Sequence, residues 1–133
     1  MMNTKIHQMN FNCKEITITD ETFGCSITFS ENVNFKNLKV DDFKKNEEQY
    51  VMLLRKYAED EIEENFYYLE TNDPLKSGEL NQFMINIFRT KISIAYEKDN
   101  VEIFIDVDEL EFEEVKNSIK KIVNKKGQLN INY

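Results

Sequence analysis

The chain has 133 residues, of which 41% are hydrophobic and 32% are charged, and its formal net charge of −8 gives a sequence pI near 4.8. This length and composition predict one globular domain with a buried core, and they exclude a disordered chain. The negative charge argues against nucleic acid and anionic lipid as ligands, because both are bound through basic surfaces.

The N-terminal stretch MMNTKIHQMNFNCKEITI contains no apolar segment typical of a signal peptide, and no later run reaches the length of a transmembrane helix. We therefore expect a cytoplasmic protein that does not bind membranes. Cys13 and Cys25 both lie in alternating, strand-like stretches. Two buried free thiols are favoured, because nothing places the chain in an oxidising compartment, although a disulfide stays open.

The first predicted elements form a hairpin. The stretches FNCKEITIT and CSITFS alternate apolar and polar residues, which is typical of strands with one buried face. The residues TDETFG between them are typical of a connecting turn. Residues 31–49 follow as a polar segment without a clear period, which predicts a loop, with or without a short helix.

The stretch YVMLLRKY (50–57) is ambiguous. Its helix propensity is high, together with that of the flanking residues, and one apolar face has helical spacing. Its alternation and its tyrosine and valine content fit a strand instead. From the residues alone, a helix is favoured.

The next elements are more regular. The aromatic NFYYLET is typical of a strand, and NDPLKSGE after it carries the strongest turn signals of the chain. FMINIF, KISIAY and VEIFIDV then predict three strands, joined by turns at RT and EKDN. These three strands form a predicted β-meander.

The last long element is a predicted helix. Asp108 is placed as its N-cap, acidic residues follow in the first turn, and Gly127 is placed just past its C-terminal end. QLNINY predicts a short terminal strand. The fold class is therefore α+β: a mostly antiparallel sheet, built from the N-terminal hairpin and the meander, with the amphipathic helix packed on one face. The apolar stripe of this helix consists of Phe112, Val115, Ile119, Ile122 and Val123.

Signals for catalysis are sparse, so we expect no enzyme and no cofactor. His7 is the single histidine and has no companion at the spacing of a metal ligand, and three widely separated glycines exclude a phosphate-binding loop. Asp106 and Asp108 could together hold Mg²⁺ or Ca²⁺. The favoured interpretation is that Asp106 faces solvent and Asp108 caps the helix.

The charge is concentrated in EDEIEENFYYLETND (59–73), which holds seven carboxylates and no lysine or arginine. Clustered charge beside exposed aromatic residues is typical of a binding surface. A solvated loop followed by a half-buried strand explains the pattern equally simply, and on charge alone this second interpretation is favoured.

The stretch QYVMLLRKYAEDEIEENFYYLETNDPLKSGEL resembles the middle of the immunity protein 10 family of bacterial polymorphic-toxin systems. That family has a "YLxLQR"-type segment, an acidic connection, a "YYVE"-type strand and a polar turn with glycine. The later strands and the ending FIDVDELEFEEVKNSIKKI are also similar, so the resemblance spans about residues 50–123. The matching positions are Tyr50, Leu53 or Leu54, Arg55, Tyr67, Tyr68, Leu69, Glu70, Asn72, Asp73 and Gly78.

The resemblance implies that 50–57 is a strand and that the chain binds and blocks a cognate toxin domain without catalysis. Many such toxin domains are nucleases with basic substrate channels, which an acidic partner can occupy as a phosphate mimic. Two alternatives stay open: an interaction module or homodimer that uses an exposed sheet edge, and a small enzyme or metal-binding protein built on Asp106 and Asp108. The partner-binding residues implied are Glu59, Asp60, Glu61, Glu63, Glu64 and Glu70, with the exposed members of Phe66, Tyr67 and Tyr68.

Overall fold

The computed structural model describes residues 7–31, 48–58, 64–97 and 99–132. Within these ranges the chain forms ten strands, one short 3₁₀ turn (Pro74–Lys76) and one helix, α1 (Glu109–Val123). The strands in chain order are β1 (His7–Asn12), β2 (Glu15–Glu21), β3 (Gly24–Ser30), β4 (Tyr50–Lys56), β5 (Phe66–Thr71), β6 (Gly78–Glu79), β7 (Phe83–Ile87), β8 (Lys91–Tyr96), β9 (Asp99–Phe104) and β10 (Gln128–Ile131).

The strands form two five-stranded sheets. The first sheet has the order β1-β9-β8-β7-β10, and the second has the order β2-β3-β4-β5-β6. All neighbours in the second sheet are antiparallel, whereas β1 and β10 run parallel to β9 and β7 at the two edges of the first. The predicted α+β class is confirmed, as are the hairpin and the meander, but these two units lie in different sheets.

The chain passes from one sheet to the other at Cys13 and Lys14. The Cys13 N–H donates to the carbonyl of Phe104 in the first sheet, and the Lys14 N–H donates to Ser30 in the second, both at 2.8 Å. Glu15 is also paired with Ser30, so two residues oppose one and form a β-bulge. The alternating stretch FNCKEITIT is therefore two strands rather than one.

Residues 50–56 form a strand, so the helix that the residues alone favour is wrong. Val51 and Leu53 are fully buried and alternate with partly exposed neighbours. β4 pairs along its length with β3 and nearly so with β5, and these contacts outweigh its helix propensity. The strand is the structure that the family resemblance implies.

One hydrophobic core joins the inner faces of both sheets and α1. The helix packs against β3 and β4 of the second sheet and touches β10 of the first. The rings of Tyr67 and Phe83 meet across the sheets with centroids 6.4 Å apart. The Tyr96 hydroxyl adds a hydrogen bond of 2.8 Å to the Lys76 carbonyl, between β8 and the 3₁₀ turn.

The start of α1 is as predicted, but its end is not. The Asp108 carboxylate accepts a 2.8 Å hydrogen bond from the Glu111 N–H, as an N-cap does. The helix ends at Val123, and Asn124 rather than Gly127 adopts the positive φ of 54°. Gly127 has another role, because a Cβ there would lie 2.4 Å from the Phe83 ring. The predicted apolar stripe is buried, and the terminal strand is confirmed as β10.

Several predictions concern residues that the structure does not describe or describes only in part. The loop predicted over 31–49 falls mainly in 32–47, outside the described residues.

Both cysteines are free thiols: Cys25 is buried and Cys13 is half-buried, and burial raises the pKa of the Cys13 thiol. Within the described ranges, no helix is long and apolar enough to cross a membrane.

Candidate binding face

Four of the predicted acidic contact residues, Glu59, Asp60, Glu61 and Glu63, lie outside the described residues. Their segment joins β4 to β5, two adjacent antiparallel strands of the second sheet. Glu64, at the end of this connection, is exposed.

The alternation of β5 decides which of the three aromatic residues is accessible. Tyr67 points into the core with 7% of its surface exposed, and its hydroxyl accepts a 3.4 Å hydrogen bond from the Asn124 amide. Phe66 and Tyr68 point to the opposite side, together with Glu70. The candidates for aromatic anchors are therefore Phe66 and Tyr68, and Tyr67 contributes to the core instead.

The side of the second sheet that faces away from the core and α1 is called the outer face. Phe66 and Tyr68 lie there with their rings stacked, 6.1 Å between centroids and 20° between planes. Across the strands, Tyr68 is opposite Leu54 on one side and Glu79 on the other. The outer face consists of Glu15, Thr17, Thr19, Glu21, Gly24, Ser26, Thr28, Ser30, Tyr50, Met52, Leu54, Lys56, Phe66, Tyr68, Glu70 and Glu79.

The outer face is negatively charged. It carries four glutamates, Glu15, Glu21, Glu70 and Glu79, against one lysine, Lys56. None of the ion pairs within the described part of the chain involves these glutamates. A basic partner group would therefore meet carboxylates that are not neutralised by a neighbouring described lysine or arginine.

A hydrogen bond orders part of this face. The Tyr50 hydroxyl donates to the Glu70 carboxylate at 3.0 Å. Burial and then the Glu70 carboxylate raise the pKa of the Tyr50 phenol. The Tyr50 ring and the Glu70 carboxylate are therefore held beside Tyr68 before any partner arrives.

The outer face also has two depressions. A depression of about 340 Å³ lies at the β2–β3 turn, lined in part by Phe23, Leu54 and Lys56. Another, of about 270 Å³, lies towards the other end of the strands beside Thr17 and Tyr50. Phe23 is 68% exposed, so this end of the face offers apolar area that sequence analysis did not single out.

A second cluster of charged side chains lies where α1 meets β2 and β4, and its contacts are internal. Lys121 forms an ion pair with Asp20, which also accepts a 3.2 Å hydrogen bond from the Tyr57 hydroxyl. The Arg55 guanidinium lies 5.0 Å from the centre of the Tyr57 ring and donates to the Lys121 carbonyl at 2.8 Å. The hydrogen bond from Lys121 lowers the pKa of Asp20. The cluster fastens the helix to the sheet, and its members are too distant in sequence for a motif to reveal it.

Asp106 and Asp108 do not form a joint site in the side-chain contacts described. Asp106 is exposed, and Asp108 uses its carboxylate to cap α1. Among the residues with a described position, no group of three or more histidine, cysteine, aspartate or glutamate side chains is placed to hold a metal ion.

Two comparisons with known proteins found no match. No protein-family model matches the chain, and a search of the curated proteins finds no similar sequence. The functional inference therefore depends on the outer face and on the pattern of residues 50–123, and the assignment to the immunity protein 10 family stays a prediction.

Proposed function

We propose that the chain is a non-enzymatic immunity protein that binds and neutralises a cognate bacterial toxin domain through the outer face. The observation that carries the proposal is the stacked pair of Phe66 and Tyr68 on the outer face, where Phe66 is 39% exposed and Tyr68 is half-buried, with Glu70 and Glu79 beside them. A hydrophobic centre with charge around it is the usual anatomy of a protein–protein interface.

The aromatic pair fits the role of an anchor. Tyrosine and other large aromatic residues supply much of the binding energy at interfaces, where they fill pockets of the partner. The contact between the two rings and the hydrogen bond from Tyr50 to Glu70 restrict these side chains in the free protein. Less conformational entropy is then lost on binding, so the same contact area gives a higher affinity.

The charge fits a basic partner. Four glutamates on the outer face, and the acidic residues between β4 and β5 in the sequence, attract a positively charged surface and accelerate association. A nuclease domain with a basic substrate channel has such a surface. In that case the carboxylates of this chain occupy positions that substrate phosphates would otherwise take.

A second candidate function is an interaction module or homodimer without a toxin partner. The observation that favours it is the exposed edge strand β2, because an open edge is a template for pairing with another strand. Sedimentation of the purified chain, with and without a basic protein partner, separates the two candidates. A tight dimer that binds no basic partner would favour the second.

The proposed interface is tested with the protein encoded immediately upstream of this chain, by calorimetric titration. The double substitution Phe66→Ala and Tyr68→Ala should weaken binding by about 30-fold or more, because it removes the anchor. The control is Phe104→Ala, whose ring is 40% exposed, as against 39% for Phe66, but lies on the first sheet. Loss of affinity in the control alone, or unchanged affinity in both variants, would contradict the proposal.

A further inference from the structure

Among the residues that the structure describes, β2 is an edge strand whose open side pairs with no other strand. It forms one edge of the second sheet, while the other edge is the two-residue strand β6. Of its seven residues, six are exposed and only Ile16 is half-buried. A long exposed edge carries a row of backbone groups that can pair with another strand.

The hydrogen bonds between β3 and β4 show which backbone groups of β2 face the open edge. The Tyr57 N–H donates to the Phe23 carbonyl at 2.7 Å, so the odd-numbered residues of β3 bond to β4. The even-numbered residues then bond to β2, because the direction alternates along a strand. Their partners in β2 are Glu15, Thr17, Thr19 and Glu21. The N–H and C=O groups of Ile16, Ile18 and Asp20 are therefore directed to the open edge.

The edge has few features that oppose pairing. β2 contains no proline and no lysine, and its bulge lies at the first residue. Its one inward-facing charge is Asp20, which is already paired with Lys121 and Tyr57. Ile18 is 39% exposed on the inward side of the same edge. Protected edges usually carry lysine, proline, a central bulge or an inward-pointing charge, and of these β2 has only Asp20.

We propose that β2 pairs antiparallel with β2 of a second copy of this chain, about a two-fold axis that passes between the two Thr17 residues. In this register Ile16 lies opposite Ile18 of the other copy, and these are the residues whose backbone groups face the edge. Glu15 lies opposite Thr19, so no like charges meet. A two-fold axis duplicates each of these contacts, as an interface between identical chains requires.

Of the two neighbouring registers with the same backbone directions, the one about Ile18 is less favourable. An axis at Ile18 would place Glu15 opposite Glu21 and Ile16 opposite Asp20. Like charges directly opposite each other are destabilising, and the second pair would set an apolar side chain against a carboxylate. The sequence EITITDE is therefore self-complementary about Thr17 and not about Ile18.

The groove beside β2 accommodates the second copy. It has a volume of about 470 Å³, lies between the strand and α1, and is lined in part by Ile18, Asn117 and Lys121. In the proposed register Ile16 of the partner copy lies over this groove beside Ile18 and removes both side chains from water. The interface is small, below about 1,200 Å², so the dimer should be reversible.

Sedimentation equilibrium over about 5 to 500 μM tests the dimer. The native chain should show a monomer–dimer equilibrium within this range. Ile18→Lys should abolish it, because an inward-facing ammonium group would then lie opposite Ile16 of the other copy and would be taken from water without a partner. Thr19→Lys should strengthen it several-fold, because the introduced ammonium group would oppose Glu15 only in the register about Thr17. Circular dichroism confirms that each variant is folded.

A cysteine substitution tests the register independently. Across the proposed axis the two Thr17 residues form a non-hydrogen-bonded pair with Cα atoms about 4.5 Å apart, close enough for a disulfide. Thr17→Cys should therefore give covalent dimers on mild oxidation. Thr28→Cys is the control, since it lies opposite Thr17 on the same face but one strand inward. A chain that stays monomeric at about 500 μM, or equal cross-linking of the two variants, overturns the proposal.

Discussion

At the scale of single residues, the direction in which a side chain points decides whether it contributes to the stability of the fold or to the exposed surface. Tyr67 and Tyr68 are neighbours of the same type, yet one lies in the core and the other on the outer face. Asp106 and Asp108 differ in the same way: one is exposed, and the other holds the first turn of α1. Substitutions at such neighbouring positions therefore show how much of the change in stability or binding comes from the direction of the side chain, because the residue type is the same.

The N-cap gives a prediction of this kind. Asp108→Ala should lower the free energy of unfolding by about 1 kcal/mol, because the Glu111 N–H loses its acceptor. Asp106→Ala removes the same functional group two residues away and should change stability by less than about 0.5 kcal/mol. Urea denaturation measures both. Equal effects of the two substitutions would show that Asp108 does not act as a cap.

The glycine next to β10 gives another. A methyl group at Gly127 would lie 2.4 Å from the Phe83 ring, so Gly127→Ala should destabilise the fold by about 1–3 kcal/mol through overpacking. Gly78→Ala is the matched control, since no atom of the described residues beyond its chain neighbours would lie within 4 Å of a Cβ at that position. Thermal unfolding should show a lower Tm for the first variant only. An unchanged Tm at Gly127→Ala would mean that the ring moves aside freely.

At the scale of elements, the fold depends on ties between the two sheets. Strand β8 belongs to the first sheet, and the 3₁₀ turn Pro74–Lys76 connects two strands of the second. The hydrogen bond from Tyr96 to the Lys76 carbonyl joins them. Burial raises the pKa of the Tyr96 phenol, and Asp99 and Asp73 raise it further.

This tie predicts a dependence of stability on pH. The folded state holds the Tyr96 proton above pH of about 10, where an unfolded tyrosine releases it. The stabilisation is therefore complete below about pH 10 and is lost as the pH rises above that value. Tyr96→Phe should lower stability by about 1 kcal/mol at neutral pH and reduce the loss of stability above about pH 10.

Urea denaturation at neutral pH and at about pH 11 provides the measurement for this prediction. Tyr50 and Tyr57 also have raised pKa values, so part of the alkaline loss should remain in the variant. A native chain and a variant with the same alkaline slope would contradict the role of Tyr96.

Elements whose structure is determined by neighbouring residues could be predicted from the sequence. Elements whose structure depends on pairing with distant segments were harder to predict. The meander strands alternate cleanly and are joined by short turns, so their pairing follows from neighbouring residues. The split of FNCKEITIT was missed although the sequence marks it, because the consecutive polar residues Lys14 and Glu15 shift the alternation at the bulge from odd-numbered to even-numbered apolar residues. The strand β4 was obscured by good helix propensity, which only its two partner strands override.

The candidate site was likewise predictable in part. The charge of 59–73 and its aromatic residues single out β5 as the candidate, but the choice between Tyr67 and its neighbours required the sheet geometry. Tyr50 and Glu79 join the outer face from other strands, and Phe23 lines the depression at one end of it. Their separation along the chain hides this proximity from any inspection of the sequence.

At the scale of the whole molecule, the described surface has two sides of different character. One side of the second sheet packs on α1 and the core, and the other presents aromatic rings among carboxylates. The segment 59–73 supplies seven negative charges of a net −8, and it contains β5, the fourth of the five strands of this sheet. Charge and apolar area are thus combined on one face, as a basic protein partner would require.

The charge of this face predicts a dependence on salt. The double reversal Glu70→Lys and Glu79→Lys should slow association with the upstream-encoded protein by about tenfold at low ionic strength, and less in high salt. The control, Glu97→Lys with Asp106→Lys, makes the same change in net charge elsewhere on the surface. Stopped-flow kinetics at two salt concentrations compares them. An equal effect of both pairs would mean that total charge, rather than the outer face, controls association.

The central claim, protection against a toxin, is tested most directly by growth of cells that express the upstream-encoded protein with and without this chain. The expected result is arrest by that protein alone, full rescue by the native chain, and no rescue by the folded variant with Phe66→Ala and Tyr68→Ala. Growth without arrest when the upstream protein is expressed alone, or rescue by the native chain and the variant alike, would contradict the claim.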